Sequence, residues 1–342
     1  MAKPNLFIVG APKCGTTAWV RYLSSHPDVF FSAIKEPHYF CDDLAWRTIT
    51  TEEEYRRLFD LSESAKIVGE ASSRYLLSNV AAKSIWRFNP EAKIIILVRD
   101  QEDCLPSLHN QGVFMTQECI EDFEVAWRLS SKRNGRNVSR FCKERKFLDY
   151  KACGKFSEQV ERYFDAFPED QIRVFHFRDW SRNPRQIYVE ILRFLDLEDD
   201  GRTDFPPVNE AKHRRVKWLA EFLINPPPHL RGLARALQRL SGGGAGRLAD
   251  SILKSNQRRG YRNNVSEALR SEIRGYYARD NEQLEPRLWR PAESARKSSE
   301  QETRPPNRSA GTVHRREFYS LPSDKIGETS YQRYVERFGH KF

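Results

Sequence analysis

The sequence predicts an α/β fold in which a central, mainly parallel sheet is flanked by helices. Three observations predict this fold: short apolar runs bounded by turn residues, amphipathic stretches between these runs, and a length of 342 residues, which allows a sizeable core. Strands that alternate with amphipathic helices are typical of parallel sheets covered on both faces. We expect one domain over residues 1–290 and a partly disordered C-terminal tail over residues 291–342.

The individual elements follow from the spacing of apolar residues along the chain. Apolar runs predict strands, and apolar residues three or four positions apart predict helices. In the first hundred residues these patterns predict strand 6–10, helix 16–25, strand 29–31, strand 66–69, helix 81–88 and strand 93–98. Further along they predict helix 155–167, strand 172–177, helix 184–195 and a helix that begins near residue 266.

A glycine-bounded loop follows the first predicted strand. The apolar run Leu6–Val9 leads directly into Gly10-Ala11-Pro12-Lys13-Cys14-Gly15-Thr16-Thr17. Glycine lets the backbone approach an anion closely, and the first N–H groups of the following helix point at that anion with the positive end of the helix dipole behind them. The sequence therefore predicts a phosphate-binding loop in a single P-loop-type domain.

The position of the lysine separates this loop from the loops of kinases and other P-loop NTPases. In those proteins the lysine comes directly after the second glycine, a position that Thr16 occupies here. In this chain the lysine is Lys13, three residues earlier, and no clear magnesium-binding aspartate closes a strand. A kinase or other P-loop NTPase is therefore the disfavoured alternative.

The loop and a later segment resemble the sulfotransferases that use 3′-phosphoadenosine 5′-phosphosulfate (PAPS). The run Pro12-Lys13-Cys14-Gly15-Thr16-Thr17 resembles their 5′-phosphosulfate loop. The predicted strand 93–98, followed by Arg99 and Ser107, resembles their 3′-phosphate segment R-x-P-x-x-R-x-x-S. The second arginine position of that segment holds Cys104. Because phosphates lie at the carboxyl ends of parallel strands, the two motifs can face one nucleotide.

A third segment is similar to the carbohydrate sulfotransferases of the heparan sulfate and nodulation-factor type. Lys35-Glu36-Pro37-His38-Tyr39-Phe40 resembles their K-E-x-H-F-F segment, in which the glutamate is the candidate base. The resemblance implies that Glu36 and His38 are catalytic, and that the acceptor is a hydroxyl on a sugar-containing molecule. It extends from residue 5 to about residue 290 and leaves the identity of the acceptor open.

The resemblance implies transfer of a sulfuryl group from PAPS through a loose, in-line transition state like that of phosphoryl transfer. Glu36 would accept the proton of the acceptor, since a cleft can raise the pKa of a carboxyl toward the working pH. Lys13 would neutralise the leaving oxygen. The 5′-phosphate would be bound by Pro12, Lys13, Cys14, Gly15, Thr16 and Thr17.

The 3′-phosphate of PAPS would be bound by Arg99 and Ser107, because an arginine forms strong charge-assisted hydrogen bonds with phosphate. Near the end of the domain, Arg258-Arg259-Gly260 resembles the basic segment that closes on the same phosphate. These arginines can take over the contact that Cys104 does not make. The alternative is that both are surface charges in front of the next helix.

The composition limits the possible partners. The formal net charge of +10 permits a non-catalytic polyanion-binding protein, but no zinc-finger, RNP-like or helix-turn-helix pattern indicates nucleic acid. We find neither a signal peptide nor an apolar run near the ~20 residues of a membrane helix, so we expect a cytoplasmic protein without a transmembrane anchor. The residue pattern implies no metal. The oligomeric state is left open.

The cysteines are expected to be reduced. The chain contains six of them, without a C-x-x-C pair, and a cytoplasmic protein keeps its thiols reduced. A bridge in the part of the chain that holds Cys142 and Cys153 is known among related enzymes of the secretory pathway. The resemblance therefore leaves a Cys142–Cys153 bridge as the alternative.

Overall fold

The structure is a computed structural model that describes residues 3–62, 64–133, 137–208 and 265–290, together with residues 212–214, 251 and 257–259. The predicted C-terminal tail over residues 291–342 lies outside the described residues.

The centre of the fold is a five-stranded sheet in which every pairing is parallel. The strand order is β2-β3-β1-β4-β5, so β1 lies in the middle with β3 and β4 beside it. This arrangement confirms the predicted α/β class with a P-loop-type sheet. The strands are β1 Leu6–Ile8, β2 Val29–Phe31, β3 Ile67–Ala71, β4 Lys93–Val98 and β5 Ile172–His176.

Helices connect and flank the strands. The α-helices of the described segments are α1 Thr16–Leu23, α2 Glu52–Arg57, α3 Ala81–Phe88, α4 Gln101–Phe114, α5 Phe123–Leu129, α6 Tyr150–Cys153, α7 Phe156–Phe164, α8 Phe177–Arg182, α9 Pro184–Phe194, α10 Glu267–Tyr276 and α11 Ala278–Leu284. Short 3₁₀ turns cover Ser130–Lys132, Arg145–Leu148, Glu169–Gln171 and Glu285–Arg287. The strands β6 Lys212–Arg214 and β7 Gln257–Arg259 form an antiparallel pair. Within these segments no helix combines the length and the apolar character that crossing a lipid bilayer requires.

The core explains why the strands form where the sequence predicts them. All residues of β1, and residues 94–98 of β4, are fully buried, as expected for uninterrupted apolar runs in the middle of a parallel sheet. A second apolar cluster joins α4 and α5 to α10 through side chains such as Leu105, Trp127 and Ile273. The chain therefore returns to α4 and α5 after the long segment that precedes residue 265.

Two differences from the predicted elements bear on the site. Strand β3 continues to Ala71 and so includes Glu70, whereas the predicted strand ended at residue 69. Helix α4 was not predicted, because it contains Pro106 and its apolar residues do not follow one face. It forms nevertheless, since Cys104 and Leu105 pack into the interior.

The turn after β1 requires glycine at position 10. Gly10 has a φ of +150°, and an added Cβ atom would lie 2.6 Å from Cβ of Leu76 and 2.8 Å from the carbonyl oxygen of Ser73. We predict that Gly10→Ala lowers the free energy of unfolding by about 1–3 kcal/mol, because it adds backbone strain to overpacking. Urea denaturation measures this change.

The matched control is Gly275→Ala in α10. An added Cβ atom at Gly275 meets no atom within 4 Å. Alanine is a better helix former than glycine, so this variant should gain about 0.5–1 kcal/mol of stability. Equal stability of G10A and the wild-type protein would contradict the proposed role of Gly10.

Candidate active site

The loop between β1 and α1 places backbone N–H groups at the carboxyl end of β1. Gly15 is the N-cap of α1 and has a φ of 98°, which favours glycine. An added Cβ atom at Gly15 would overlap the ring of Trp180 from α8. The predicted residues Pro12–Thr17 therefore lie between the central strand and the first turn of α1, where the free N–H groups of a helix attract an anion.

Backbone and thiol contacts hold the loop in place. The Ala11 N–H donates to the carbonyl of Leu97 on β4 at 2.5 Å. The thiols of Cys14 and Cys104 lie 3.6 and 3.3 Å from the carbonyl oxygen of Pro12, with their Sγ atoms 3.7 Å apart. Cys104, at the second arginine position of the motif, therefore supports the loop and is itself buried.

The structure contains no disulfide bond. All six cysteines are free thiols. Cys142 and Cys153 are separate thiols in this structure, and their redox state in solution stays a prediction.

Lys13 carries its charge without a carboxylate partner among the residues that the structure describes. Burial is the main cause that lowers the pKa of Lys13, and the charges of Arg99 and Lys35 lower it further, against an opposing effect of Cys104. The positive charges of Arg99 and Lys35 thus both act on Lys13. Such a cluster attracts an anion, because an anion relieves the repulsion between the cations.

Glu36 is held close to the loop by the turn that follows β3. Its N–H donates to the carbonyl of Ala71 at 3.0 Å. Its carboxylate accepts from the N–H and hydroxyl of Ser73 at 2.9 and 3.0 Å, and from Nζ of Lys35 at 2.6 Å. Because the carbonyl oxygen of Ser73 lies against Gly10, the carboxylate of Glu36 and the loop after β1 share one edge of the sheet.

The pKa of Glu36 differs from the expectation. Burial acts to raise it, but the charge and hydrogen bond of Lys35 and the backbone N–H of Ser73 outweigh burial, so the pKa lies below the ordinary value for a glutamate. The sequence-based expectation of a raised pKa is therefore wrong. Glu36 is ionised at neutral pH and is able to accept a proton.

His38 lies beside Glu36 as a neutral ring. It is 4% exposed, and burial lowers its pKa to about 4. Its Nε2 atom lies 3.4 Å from Oε2 of Glu36, and its buried Nδ1 atom has no hydrogen-bond partner within the described segments. At neutral pH the ring of His38 is uncharged. It can orient the carboxylate of Glu36, but it is not an imidazolium that could donate its extra proton.

The residues predicted for a 3′-phosphate lie beside β4. The guanidinium carbon of Arg99 lies 4.4 Å from the ring centroid of Phe177, and its Nη2 atom is 3.6 Å from Asp103. Asp103 also accepts a hydrogen bond from Arg270 at 3.0 Å. The buried Nε atom of Arg99 has no partner among the described residues. Ser107 is half-buried on α4.

A cavity of about 220 Å³ opens beside Arg99 at the carboxyl ends of β4 and β5. Its wall includes Gln101, His176, Asn281 and Trp289, but not Lys13 or Glu36. The cavity therefore extends the surface around Arg99 away from the loop, toward α11.

The third predicted basic segment is described only in its backbone. Arg258 and Arg259 lie in β7, opposite His213 and Lys212 of β6. Gly260 lies outside the described residues. Whether these arginines reach the site stays a prediction.

Sequence reasoning missed three polar residues at the site: Lys35, Ser73 and Arg270. Lys35 directly precedes Glu36, so the charge of the neighbouring residue was the available signal. Ser73 follows the end of β3, and side chains at the carboxyl ends of parallel strands meet at one edge. Arg270 lies on α10, 171 positions after Arg99, and no sequence pattern connects the two.

The described residues contain no group of three or more His, Cys, Asp or Glu side chains arranged to hold a metal ion.

Comparison with known proteins identifies the family. The family described as “Sulfotransferase domain” matches residues 3–206. The chain belongs to the sulfotransferase family. Its relatives include carbohydrate sulfotransferase 15 of Mus musculus, which is 34% identical over 257 residues that cover 57% of this chain and 44% of the relative. Heparan sulfate glucosamine 3-O-sulfotransferase 6 of Mus musculus is 35% identical over 101 residues that cover 28% of this chain and 27% of the relative.

A solved structure of this family has the same fold. The crystal structure of a sulfotransferase from Alicyclobacillus acidocaldarius matches with a TM-score of 0.62 and 26% identity, over 86% of this chain and 100% of that chain. The chain spans less than two thirds of the length of the curated relatives named above.

The contact between Lys35 and Glu36 gives a prediction for the pKa of Glu36. Lys35→Ala removes the positive charge 2.6 Å from the carboxylate, while burial remains. The pKa of Glu36 should therefore be higher in this variant than in the wild-type protein. Titration of the side-chain carboxyl signal by ¹³C NMR measures it.

Lys66→Ala is the matched control, because it removes a lysine that pairs with Asp28 at 2.9 Å on the surface. This variant should leave the pKa of Glu36 unchanged. A Glu36 pKa that is the same in K35A and the wild-type protein would show that Lys35 does not set it.

Proposed function

We propose that this protein is a PAPS-dependent sulfotransferase that transfers a sulfuryl group to a hydroxyl of a carbohydrate or glycosylated acceptor. The observation that carries the proposal is the cluster of Lys13, Arg99 and Lys35 around a phosphate-type loop, next to an ionised Glu36, in a chain of the sulfotransferase family. The cations suit a donor with several negative charges, and the carboxylate suits an acceptor that must lose a proton.

The loop would hold the 5′-phosphosulfate part of the donor. The backbone N–H groups that follow Gly15, and the hydroxyls of Thr16 and Thr17, are hydrogen-bond donors at the start of α1. The fit is supported by the charge of Lys13, which no carboxylate in the described segments neutralises, and by the absence of a Cβ atom at Gly15. Residues Pro12–Thr17 are therefore the proposed 5′-phosphosulfate site.

Arg99 and Ser107 would hold the 3′-phosphate. The Nε atom of Arg99 has no partner among the described residues, and the 3.6 Å distance between its Nη2 atom and Asp103 leaves the guanidinium free to bind a better partner. Arg270 already contacts Asp103, so it can keep that carboxylate in place when Arg99 turns to a phosphate. Arg258, Arg259 and Gly260 remain part of the proposed site on the strength of the motif alone.

Glu36 and Lys13 would carry out the transfer. Glu36 accepts the proton of the acceptor hydroxyl while that oxygen attacks the sulfur atom. Lys13 stabilises the negative charge that is left on the 5′-phosphate oxygen when its bond to sulfur breaks. Lys35 pairs with the Glu36 carboxylate in this structure, and a move of its ammonium group to the sulfuryl oxygens would make Glu36 a stronger base. His38 orients the carboxylate as a neutral ring.

The acceptor class rests on the relatives and on one sequence segment. The matching curated proteins include one named a carbohydrate sulfotransferase and one named a heparan sulfate glucosamine 3-O-sulfotransferase. The segment Lys35–Phe40 resembles the one that carries the base in such enzymes. We therefore propose a sugar hydroxyl as the acceptor.

The direct experiment is an assay with ³⁵S-labelled PAPS against separate libraries of saccharides, glycolipids and phenols. Transfer of label to a saccharide or glycolipid supports the proposal. Label only on phenols would contradict the acceptor class, and no transfer in any library would contradict the proposed activity.

The role of Glu36 gives a prediction for Glu36→Gln. The amide keeps the shape of the side chain but is not a base, so kcat should fall by about 10²-fold or more. Binding of adenosine 3′,5′-bisphosphate, the product of the donor, should stay unchanged, because the proposed phosphate sites do not include Glu36. Steady-state rates and calorimetry measure the two effects.

The control is Glu53→Gln, which changes a glutamate that pairs with Arg57 on the surface. It should leave both kcat and bisphosphate binding unchanged. Normal turnover of E36Q would show that another group is the base. Loss of bisphosphate binding in E36Q would show that Glu36 has a structural role instead.

A further inference from the structure

A carboxyl group that the proposed transfer does not use lies in the interior behind Glu36. Glu70, on β3, is fully buried. One of its oxygens accepts a hydrogen bond from the hydroxyl of Tyr55 on α2 at 3.3 Å, and the other, Oε1, has no partner among the described residues. A buried and incompletely paired carboxyl costs stability, so its presence needs an explanation.

Two hydroxyls connect Glu70 to the segment that carries Glu36. The Ser72 hydroxyl accepts the N–H of His38 at 3.1 Å, and the Tyr75 hydroxyl accepts the N–H of Phe40 at 3.3 Å. Each of these hydroxyls therefore has its own proton free for another acceptor. Both hydroxyls also act on the buried carboxyl of Glu70, whose pKa they lower as hydrogen-bond donors.

The segment held by these bonds has an unfavourable backbone conformation. Glu36 and His38 have φ values of 63° and 55°, in the left-handed region that residues other than glycine rarely adopt. Such conformations persist only where the surroundings enforce them. The hydrogen bonds that the His38 and Phe40 N–H groups donate hold this segment in its unfavourable conformation.

We propose that Glu70 is a positioning residue for Glu36. Its carboxylate directs the protons of the Ser72 and Tyr75 hydroxyls toward itself, which leaves their oxygens to accept the His38 and Phe40 N–H groups and keeps Glu36 at the loop. This inference rests on the proposed role of Glu36 as the base.

The protonation of Glu70 should change this arrangement near neutral pH. The pKa of Glu70 is raised to about 7, and burial is the main cause. The charge of Glu36 also raises this pKa, whereas the hydroxyls of Ser72, Tyr75 and Tyr55 act to lower it. The ionised carboxylate accepts hydroxyl protons, whereas the protonated carboxyl must donate one. The titratable groups that face Glu70 from the surrounding elements are Glu36, Cys41, Tyr55, Tyr75 and Tyr163.

Hydrogen exchange at one fixed pH tests the positioning independently of any activity. Glu70→Gln imitates the protonated form, and Tyr75→Phe removes the hydroxyl that accepts the Phe40 N–H. E70Q should speed exchange of the His38 and Phe40 amides, and Y75F that of the Phe40 amide. Tyr163→Phe is the control: its buried hydroxyl lacks a partner in the described part of the chain, so these amides should not change.

The pH dependence of kcat is a measurement that a purely structural role of Glu70 would leave unchanged. For the wild-type protein kcat should rise through an inflection near pH 7, and E70Q should lose that inflection. At pH 8 the kcat of E70Q should be about tenfold below wild type, with unchanged binding of adenosine 3′,5′-bisphosphate.

Stability gives a further check on the buried carboxyl. Because its pKa is raised from 4.5 to about 7, the folded state holds a proton that the unfolded state has lost over this range. The contribution of Glu70 to the unfolding free energy therefore falls as the pH rises through this range. Relative to wild type, E70Q should become more stable between pH 5 and pH 8.

The outcomes separate this inference from the proposed function. Faster exchange of both amides in E70Q supports the positioning role, whether or not an acceptor is sulfated. Failure to sulfate any acceptor would contradict the proposed function, but not the positioning role. Normal exchange in both E70Q and Y75F, or an inflection near pH 7 that survives in E70Q, would overturn it. If E70Q does not fold, the test is exchange of the Phe40 amide in Y75F. Faster exchange supports the positioning role, and unchanged exchange overturns it.

Discussion

The positive charge of Lys13, held over a rigid loop without a carboxylate partner in the described part of the chain, is the constraint on which the rest of the site depends. The loop is fixed by hydrogen bonds to β4 and by the packing of Gly10 and Gly15 against neighbouring groups, so the charge cannot move far from the edge of the sheet. The nearby charges of Arg99 and Lys35 add to it. The combined positive charge favours binding of an anion at this edge of the sheet.

Charge balance also explains why Glu36 behaves differently from an isolated buried carboxyl. The charge of Lys35 acts on both Lys13 and Glu36. It raises the positive potential around Lys13, and it lowers the pKa of Glu36, so that the carboxyl stays ionised. Behind this pair, the hydroxyls of Ser72 and Tyr75 hold the segment after Glu36 through its backbone. The site therefore consists of a positive half on β1 and β4 and a negative half attached to β3.

The sequence predicted the elements whose chemistry is local. Apolar runs located β1 and β4, and the order of glycine and lysine identified the loop, because these signals lie within a few residues of one another. It did not predict the lowered pKa of Glu36, the contact of Arg270 with Asp103, or the support that Cys104 gives to Pro12. These depend on side chains that are distant in sequence, or on a balance between burial and charge that only the packed structure decides.

The central claim is that this loop binds a bisphosphorylated adenosine nucleotide and not a nucleoside triphosphate. Calorimetric titration of the wild-type protein with adenosine 3′,5′-bisphosphate, and separately with ATP and Mg²⁺, tests it most directly. The proposed site predicts saturable binding of the bisphosphate that is tighter than any binding of ATP with Mg²⁺. Tighter binding of ATP with Mg²⁺, or no binding of the bisphosphate, would contradict the claim.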